Sequence, residues 1–229
     1  MARELQPQAI VLNGDVLDFP TVSRHSRICW EERPTLKDEI AEGQARLREI
    51  EKASPNSQLY WIRGNHCARL ESHISSRAPE LEGLIGTRLA DHFSDRWQHA
   101  WSLAVNPGEE GNPELMIQHR ITGGQQAGFR NVQKAGCSVA TGHSHILLTT
   151  PLTDWSGTKW GTQTGCLANV QSQHFAAYTE TGPCSWQSGF VVFTFVAGQM
   201  MMPEVVPVVS EERGTYFHRG LLRRVGDAA

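Results

Sequence analysis

The chain has 229 residues, of which 39% are hydrophobic and 20% charged, and its formal net charge is -3. This composition suits a globular protein with a sizeable core. It lacks the global basic field that marks proteins of long nucleic acids. The five cysteines, Cys29, Cys67, Cys137, Cys166 and Cys184, are odd in number and form no C-x-x-C pair. That argues against a disulfide framework and for a reducing compartment. "MARELQPQAIVLNGD" lacks the layout of a signal peptide, and the most apolar stretch, "FVVFTFVAGQMMM", is too short to span a bilayer. A cytoplasmic location without a membrane partner is the expectation.

In chain order, "AIVLN" is a continuous apolar run that predicts a strand buried on both faces. "PTLKDEIAEGQARLREIEKA" predicts a helix starting at Pro34, with Leu36, Ile40, Leu47 and Ile50 on one face. "SPNS" stops it, and "QLYWIRGNH" is a second strand. "ARLESHISSRAPELEGLIGTRLADHF" has a mostly helical period broken at Pro79, and "NPGEEGNP" is a turn-rich loop. "ELMIQHR" predicts a third strand, "GGQQAGFRNVQKAG" a helix closed by Gly136, and "CSVATGHSH" a fourth strand. From Ile146 onward "ILLTTPL", "GFVVFTFV" and "EVVPVV" predict a β-rich remainder, and the basic tail "HRGLLRRV" reads as a solvated end. The order strand, helix, strand, helix predicts an α/β core with parallel strands and an antiparallel addition, in a single domain over 1–229.

Four of these strands end in polar, metal-competent residues: Asp15 and Asp18, Asn65 and His66, His119, then His143 and His145. Ligands of open α/β sheets bind outside the carboxyl ends of the strands, so residues distant in sequence converge there. Glycines precede Asp15, Asn65 and His143 and permit sharp turns. In "GHSH" two histidines stand two apart, which on an extended segment puts both on one side. His25, in "TVSRHS", is a weaker substrate candidate on a loop beside Asp18.

"GDVLD", "GNHC", "QHR" and "GHSH", in this order over about Ile10 to Ile146, resemble the calcineurin-like metallophosphoesterase family, whose pattern is D-x-H, G-D-x-x-D, G-N-H-[DE], a lone His and G-H-x-H. "GTQTGCLANV" and "WQSGFVVFTF" are similar to the second-sheet half of phage and bacterial members. The resemblance implies a two-sheet α-β-β-α sandwich and a hydrolase, a phosphatase or phosphodiesterase, acting on a phosphate ester. Nucleic acid is a possible substrate that the charge does not indicate. The cofactors implied are two divalent ions, Mn²⁺ or else Fe or Zn²⁺. Asp15 would bridge them, Asn65, His119 and His143 would complete the second site, and His145 would belong to the first. A bridging hydroxide would attack phosphorus. His66 would be the general acid or phosphate contact, Asp18 a supporting carboxylate, and Arg69 a contact for substrate phosphate or a solvated helix residue.

The sequence departs from the pattern twice. Cys67 stands where the family has Asp or Glu to orient the histidine. Either another carboxylate replaces that partner or His66 loses its acid role. No D-x-H precedes Asp15, so the first strand of the sandwich is missing and the first metal site is incomplete. The expectation is a truncated sequence that binds about one ion tightly. The alternative is a natural variant with impaired catalysis, or a non-catalytic metal-binding and interaction module on the same fold.

Overall fold

The computed structural model describes residues 1–25, 30, 33–107, 113–170 and 184–226. Cys29 and the middle of "NPGEEGNP" lie outside them. The protein is mixed α/β, with several small sheets and few helices, and folds as two compact units, Met1–Trp101 and Ser102–Ala229.

The first unit contains α1 (Ala2–Leu5), β1 (Ala9–Asn13), α2 (Leu36–Ala53), β2 (Gln58–Ile62), α3 (Arg69–Arg77) and β3 (Trp97–Ala100). Its three strands form one parallel sheet in the order β1-β2-β3. Helix α2 begins at Leu36, two residues after the expected start at Pro34. Thr35 is its N-cap, and the Thr35 hydroxyl accepts the Asp38 N–H at 3.2 Å. Such a cap is worth about 1 kcal/mol. Leu47 is buried, and Leu36, Ile40 and Ile50 pack half-buried against the same core, which also holds Leu17, Phe19, Leu59, Trp61, Cys67, Leu70, Leu89 and Trp97. Trp61 sits at its centre, edge-on to Phe93 with ring centroids 4.9 Å apart and stacked on His99 at 5.0 Å.

Two expectations are corrected here. Strand β1 is half-buried rather than buried on both faces, and among the described residues it is an edge of its sheet, paired with β2. Past Pro79 the helical period is not realised, and only the 3-10 turns Pro79–Leu81 and Leu89–His92 form. Gly83 and Gly86 take φ of 84° and 92°, values that no α-helix contains.

The second unit contains β4 (Ser102–Pro107), β5 (Pro113–Gln118), α4 (Ala127–Ala135), β6 (Ser138–Thr141), β7 (Leu147–Asp154), β8 (Gly157–Thr164), β9 (Gly189–Val192), β10 (Phe195–Val196), β11 (Gln199–Met200), β12 (Glu204–Ser210), β13 (Thr215–His218) and β14 (Leu221–Arg224). Five strands form a sheet in the order β4-β5-β6-β8-β7, in which β5, β6 and β8 are parallel and β4 and β7 antiparallel. A second sheet has the antiparallel order β14-β13-β12-β9, and β10 and β11 form a small hairpin. Helix α4 ends at Gly136 (φ 71°) and packs on β6, β7 and β8. Its contact with β8 is backbone to backbone, because a Cβ on Gly161 would lie 2.1 Å from the Gly128 carbonyl oxygen.

The tail "HRGLLRRV" is largely solvent-exposed, as expected, and forms a hairpin. Strands β13 and β14 pair around Arg219 and Gly220, both at positive φ, as a two-residue hairpin turn requires. Arg219 donates from Nε and Nη2 to the two Glu204 carboxylate oxygens at 2.8 and 2.7 Å. Among the described residues, no helix is long and apolar enough to cross a membrane.

Candidate functional site

In the first unit the carboxyl ends of β1 and β2 lie side by side, because the strands are parallel and in register from Ala9↔Gln58 to Asn13↔Ile62. Asn13 is followed by Gly14 at φ 85° and Asp15 at φ 50°. This left-handed pair turns the chain abruptly and brings the Asp15 carboxylate to the end of β2. Asp15 Oδ1 accepts the His66 backbone N–H at 2.8 Å. Gly64 serves this approach by its lack of a side chain, since a Cβ there would fall 2.0 Å from Asp15 Oδ1. The second glycine of the pattern thus answers a steric need, where the sequence suggested a turn.

His66 is held on both ring nitrogens. Nδ1 bonds to Asp18 Oδ1, and Nε2 lies 3.2 Å from Arg69 Nη2. A guanidinium can only donate, so Nε2 accepts and the ring proton sits on Nδ1, facing the carboxylate. Arg69 Nη1 also donates to the Asp18 carbonyl at 2.6 Å and to Asp18 Oδ1 at 2.9 Å. Asp18 therefore provides the carboxylate for His66 that the residue after the histidine does not. Arg69 is the first residue of α3 and is tied to Asp18 and His66 rather than solvated.

Cys67 has no part in this array. Its side chain is 1% exposed, and burial first, then the neighbouring Asp15 charge, push its thiol above the usual range. It is a neutral core residue and not a nucleophile. Asn65 is half-buried between Gly64 and His66. His25 is exposed, and its N–H donates to Ser23 Oγ at 3.1 Å.

Sequence reasoning missed Glu39. It projects from the first turn of α2, and its Oε1 accepts the backbone N–H groups of Asp18 at 2.6 Å and Phe19 at 2.8 Å. Burial raises its pKa from 4.5, against the lowering by these two bonds. Nothing in its sequence context distinguishes Glu39 from the acidic residues common in a first helical turn.

In the second unit the carboxyl ends of β5 and β6 are likewise adjacent and parallel. His119 follows β5 and is buried, and its carbonyl accepts the N–H groups of Gly142 at 3.1 Å and His143 at 3.2 Å. The His119 and His143 rings meet edge to face, with centroids 5.3 Å apart. His145 is not on the same side of an extended segment as His143. Its φ is 57° and its N–H returns to the Gly142 carbonyl at 2.9 Å, so the "GHSH" segment is a tight turn. The turn sends the His145 ring against Trp186, with centroids 4.6 Å apart. Between the two histidines, Ser144 Oγ donates to Gln163 Oε1 at 2.7 Å, and Gln163 Nε2 donates to the Gln125 carbonyl at 3.1 Å. A fully buried amide thus anchors the histidine turn to β8.

The first unit thus groups Asp15, Asp18, Asn65, His66 and Arg69 at the ends of β1 and β2, and the second groups His119, His143 and His145 at the ends of β5 and β6. The available donors are imidazole, carboxylate and amide. Donors of these types can hold a divalent metal ion, and burial keeps the Cys67 thiol beside them protonated.

No family model matches the sequence. The chain is 27% identical over 219 residues to the "Gene 54 protein" of Mycobacterium phage L5, covering 90% of this chain and 84% of that protein. It is 26% identical over 224 residues to the "Gene 54 protein" of Mycobacterium phage D29, with the same shares covered. The chain is therefore similar to mycobacteriophage proteins, and neither printed name states an activity.

Proposed function

We propose that this protein is a metal-dependent phosphoesterase of the calcineurin-like type, with that family's two-sheet α-β-β-α architecture, hydrolysing a phosphomonoester or phosphodiester. The observation that carries this reading is the imidazole of His66, clamped between Asp18 and Arg69 beside the Asp15 carboxylate. A core histidine needs one partner. A carboxylate on one nitrogen and a guanidinium on the other suit an imidazole that moves a proton to a phosphate ester. The edge-to-face pair of His119 and His143 at adjoining strand ends supports it, as does the motif order in the sequence.

In this reading Asp15, Asn65, His119, His143 and His145 hold divalent ions. When bound, the ions polarise the phosphoryl oxygens and make water a competent nucleophile near neutral pH. Arg69 exchanges His66 Nε2 for a phosphate oxygen, a planar charge-assisted contact. Nε2, released, takes up a proton from solvent and passes it to the leaving-group oxygen, while Asp18 holds the Nδ1 proton and the ring in place.

The test is hydrolysis of p-nitrophenyl phosphate and bis-p-nitrophenyl phosphate with Mn²⁺, after chelation and after metal is restored. The expectation is metal-dependent turnover, lost together with metal binding in His119→Ala. His66→Ala should keep the metal and lose about 100-fold or more in kcat. Tight metal binding with neither ester cleaved would support a non-catalytic metal-binding module. Hydrolysis that survives both His119→Ala and chelation would overturn the proposal.

A further inference from the structure

The geometry points to Glu39 as a positioning residue for His66, acting through Asp18 across the gap between α2 and the loop after β1. One carboxylate oxygen takes two consecutive backbone N–H groups, those of Asp18 and Phe19. These are the residues at which the loop changes direction. Phe19 stands at φ 50° and ψ 53°, a left-handed conformation that a bulky aromatic residue adopts only when its surroundings hold it there. Its ring is fully buried in the core and Pro20 follows at once, starting a 3-10 turn. The backbone on either side of this peptide is thus fixed by packing beyond it and by Glu39 at it.

Asp18 converts that fixed backbone into a fixed imidazole. Its carbonyl and Oδ1 both receive Arg69 Nη1, and Oδ1 bonds to His66 Nδ1. Without Glu39, two inward-facing N–H groups lose their acceptor, and the Asp18–Phe19 peptide is free to rotate toward a relaxed conformation. Asp18 Oδ1 would then leave Nδ1 of His66. The other Glu39 oxygen, Oε2, is buried without a hydrogen-bond partner. A carboxylate therefore occupies a place where a neutral acceptor would satisfy the same two N–H groups. Glutamine supplies that acceptor and alanine does not.

The effect on rate rests on the phosphoesterase reading; the position of the imidazole does not. The experiment compares Glu39→Ala, Glu39→Gln and Thr35→Ala. The last removes the N-cap of the same helix without touching the clamp, and so reports helix destabilisation alone. The readouts are the His66 Nδ1–H resonance in ¹⁵N-labelled protein, assigned by its loss in His66→Gln, and kcat and KM for p-nitrophenyl phosphate. Glu39→Ala should abolish or displace the Nδ1–H signal and lower kcat about tenfold with KM within about twofold. Glu39→Gln and Thr35→Ala should keep both near wild type. An unchanged Nδ1–H signal in Glu39→Ala overturns the inference, and so does an equal loss in Thr35→Ala. If wild type cleaves no ester but the Nδ1–H signals follow this order, the phosphoesterase reading fails and the positioning role stands.

Discussion

Replacing Gly64 by alanine tests the convergence of β1 and β2 at a single atom. The added methyl would lie 2.0 Å from Asp15 Oδ1, 2.5 Å from Asp15 N and 2.7 Å from Asp15 Cγ, whereas real Cβ contacts essentially never fall under 3.0 Å. Relief therefore demands about 1 Å of movement by the Asp15 turn, and backbone as well as carboxylate must yield. Overpacking of this kind costs about 1–3 kcal/mol. The displaced carboxylate also loses the His66 N–H at 2.8 Å, a charged hydrogen bond worth about 1.5–3 kcal/mol. Because relaxation is partial, a total near 3 kcal/mol is expected, a fall of about 6–12 °C in melting temperature for a chain of this length. Under the proposed phosphoesterase reading, a misplacement of about 1 Å also lowers turnover about 100-fold. Thermal unfolding by circular dichroism, Mn²⁺ binding by calorimetry and p-nitrophenyl phosphate hydrolysis together measure the three consequences. A Gly64→Ala protein that melts within 1–2 °C of wild type and keeps its metal affinity would refute the close approach of Asp15 to β2.

Other expectations follow from the same geometry. In native protein at pH 8, an alkylating agent should label the exposed Cys184 and leave Cys67 untouched, read by peptide mass spectrometry, because burial keeps the Cys67 thiol protonated; labelling of Cys67 at the rate of Cys184 would contradict this. Arg219 holds the Glu204 carboxyl below its ordinary value of 4.5. A lowered folded pKa gives stability that is present above the unfolded value and lost as pH falls through the folded one. Glu204→Gln should therefore lower the urea midpoint more at pH 7 than at pH 3; an equal loss at both pH values would exclude the ion pair as the cause. Gly161→Ala should destabilise the second unit by about 3 kcal/mol, since helix α4 must lift from β8 to clear the Gly128 carbonyl. An unchanged melting curve would show that the backbone contact is not made.

The sequence by itself determined the elements whose signals are local. The apolar runs of β1, β2, β5 and β6, the period of α2 and the glycine closing α4 all sit within a few residues of where they were expected. It also named the polar residues at the strand ends, because glycine, aspartate and histidine after an apolar run interrupt the pattern visibly. Strand β8 gave no such signal. "GTKWGTQT" has no apolar period, yet it lies inside a sheet, where Thr162 and Gln163 are buried with hydrogen-bond partners that come from distant residues. The hairpin of β13 and β14 was hidden for a related reason: its arginines are surface charge, and the carboxylate that holds Arg219 is that of Glu204, 15 residues away.

Only the tertiary structure decided how the site residues are oriented. Cys67 in place of an acid left the partner of His66 open, and Asp18, 48 residues earlier, fills it. Two positive-φ residues, Asp15 and His145, point their side chains where an extended reading would not; aspartate and histidine are enriched in the left-handed region, but most of them lie outside it, so the residue type alone does not announce it. Glu39 is the clearest instance. Its sequence neighbourhood explains a helix start, and its role is set by two backbone N–H groups 20 and 21 residues away. Periodicity and turn chemistry act between neighbours in the chain, so they are legible there. Hydrogen bonds across the fold depend on which distant atoms packing brings within about 3 Å, and that is fixed only once the core has formed.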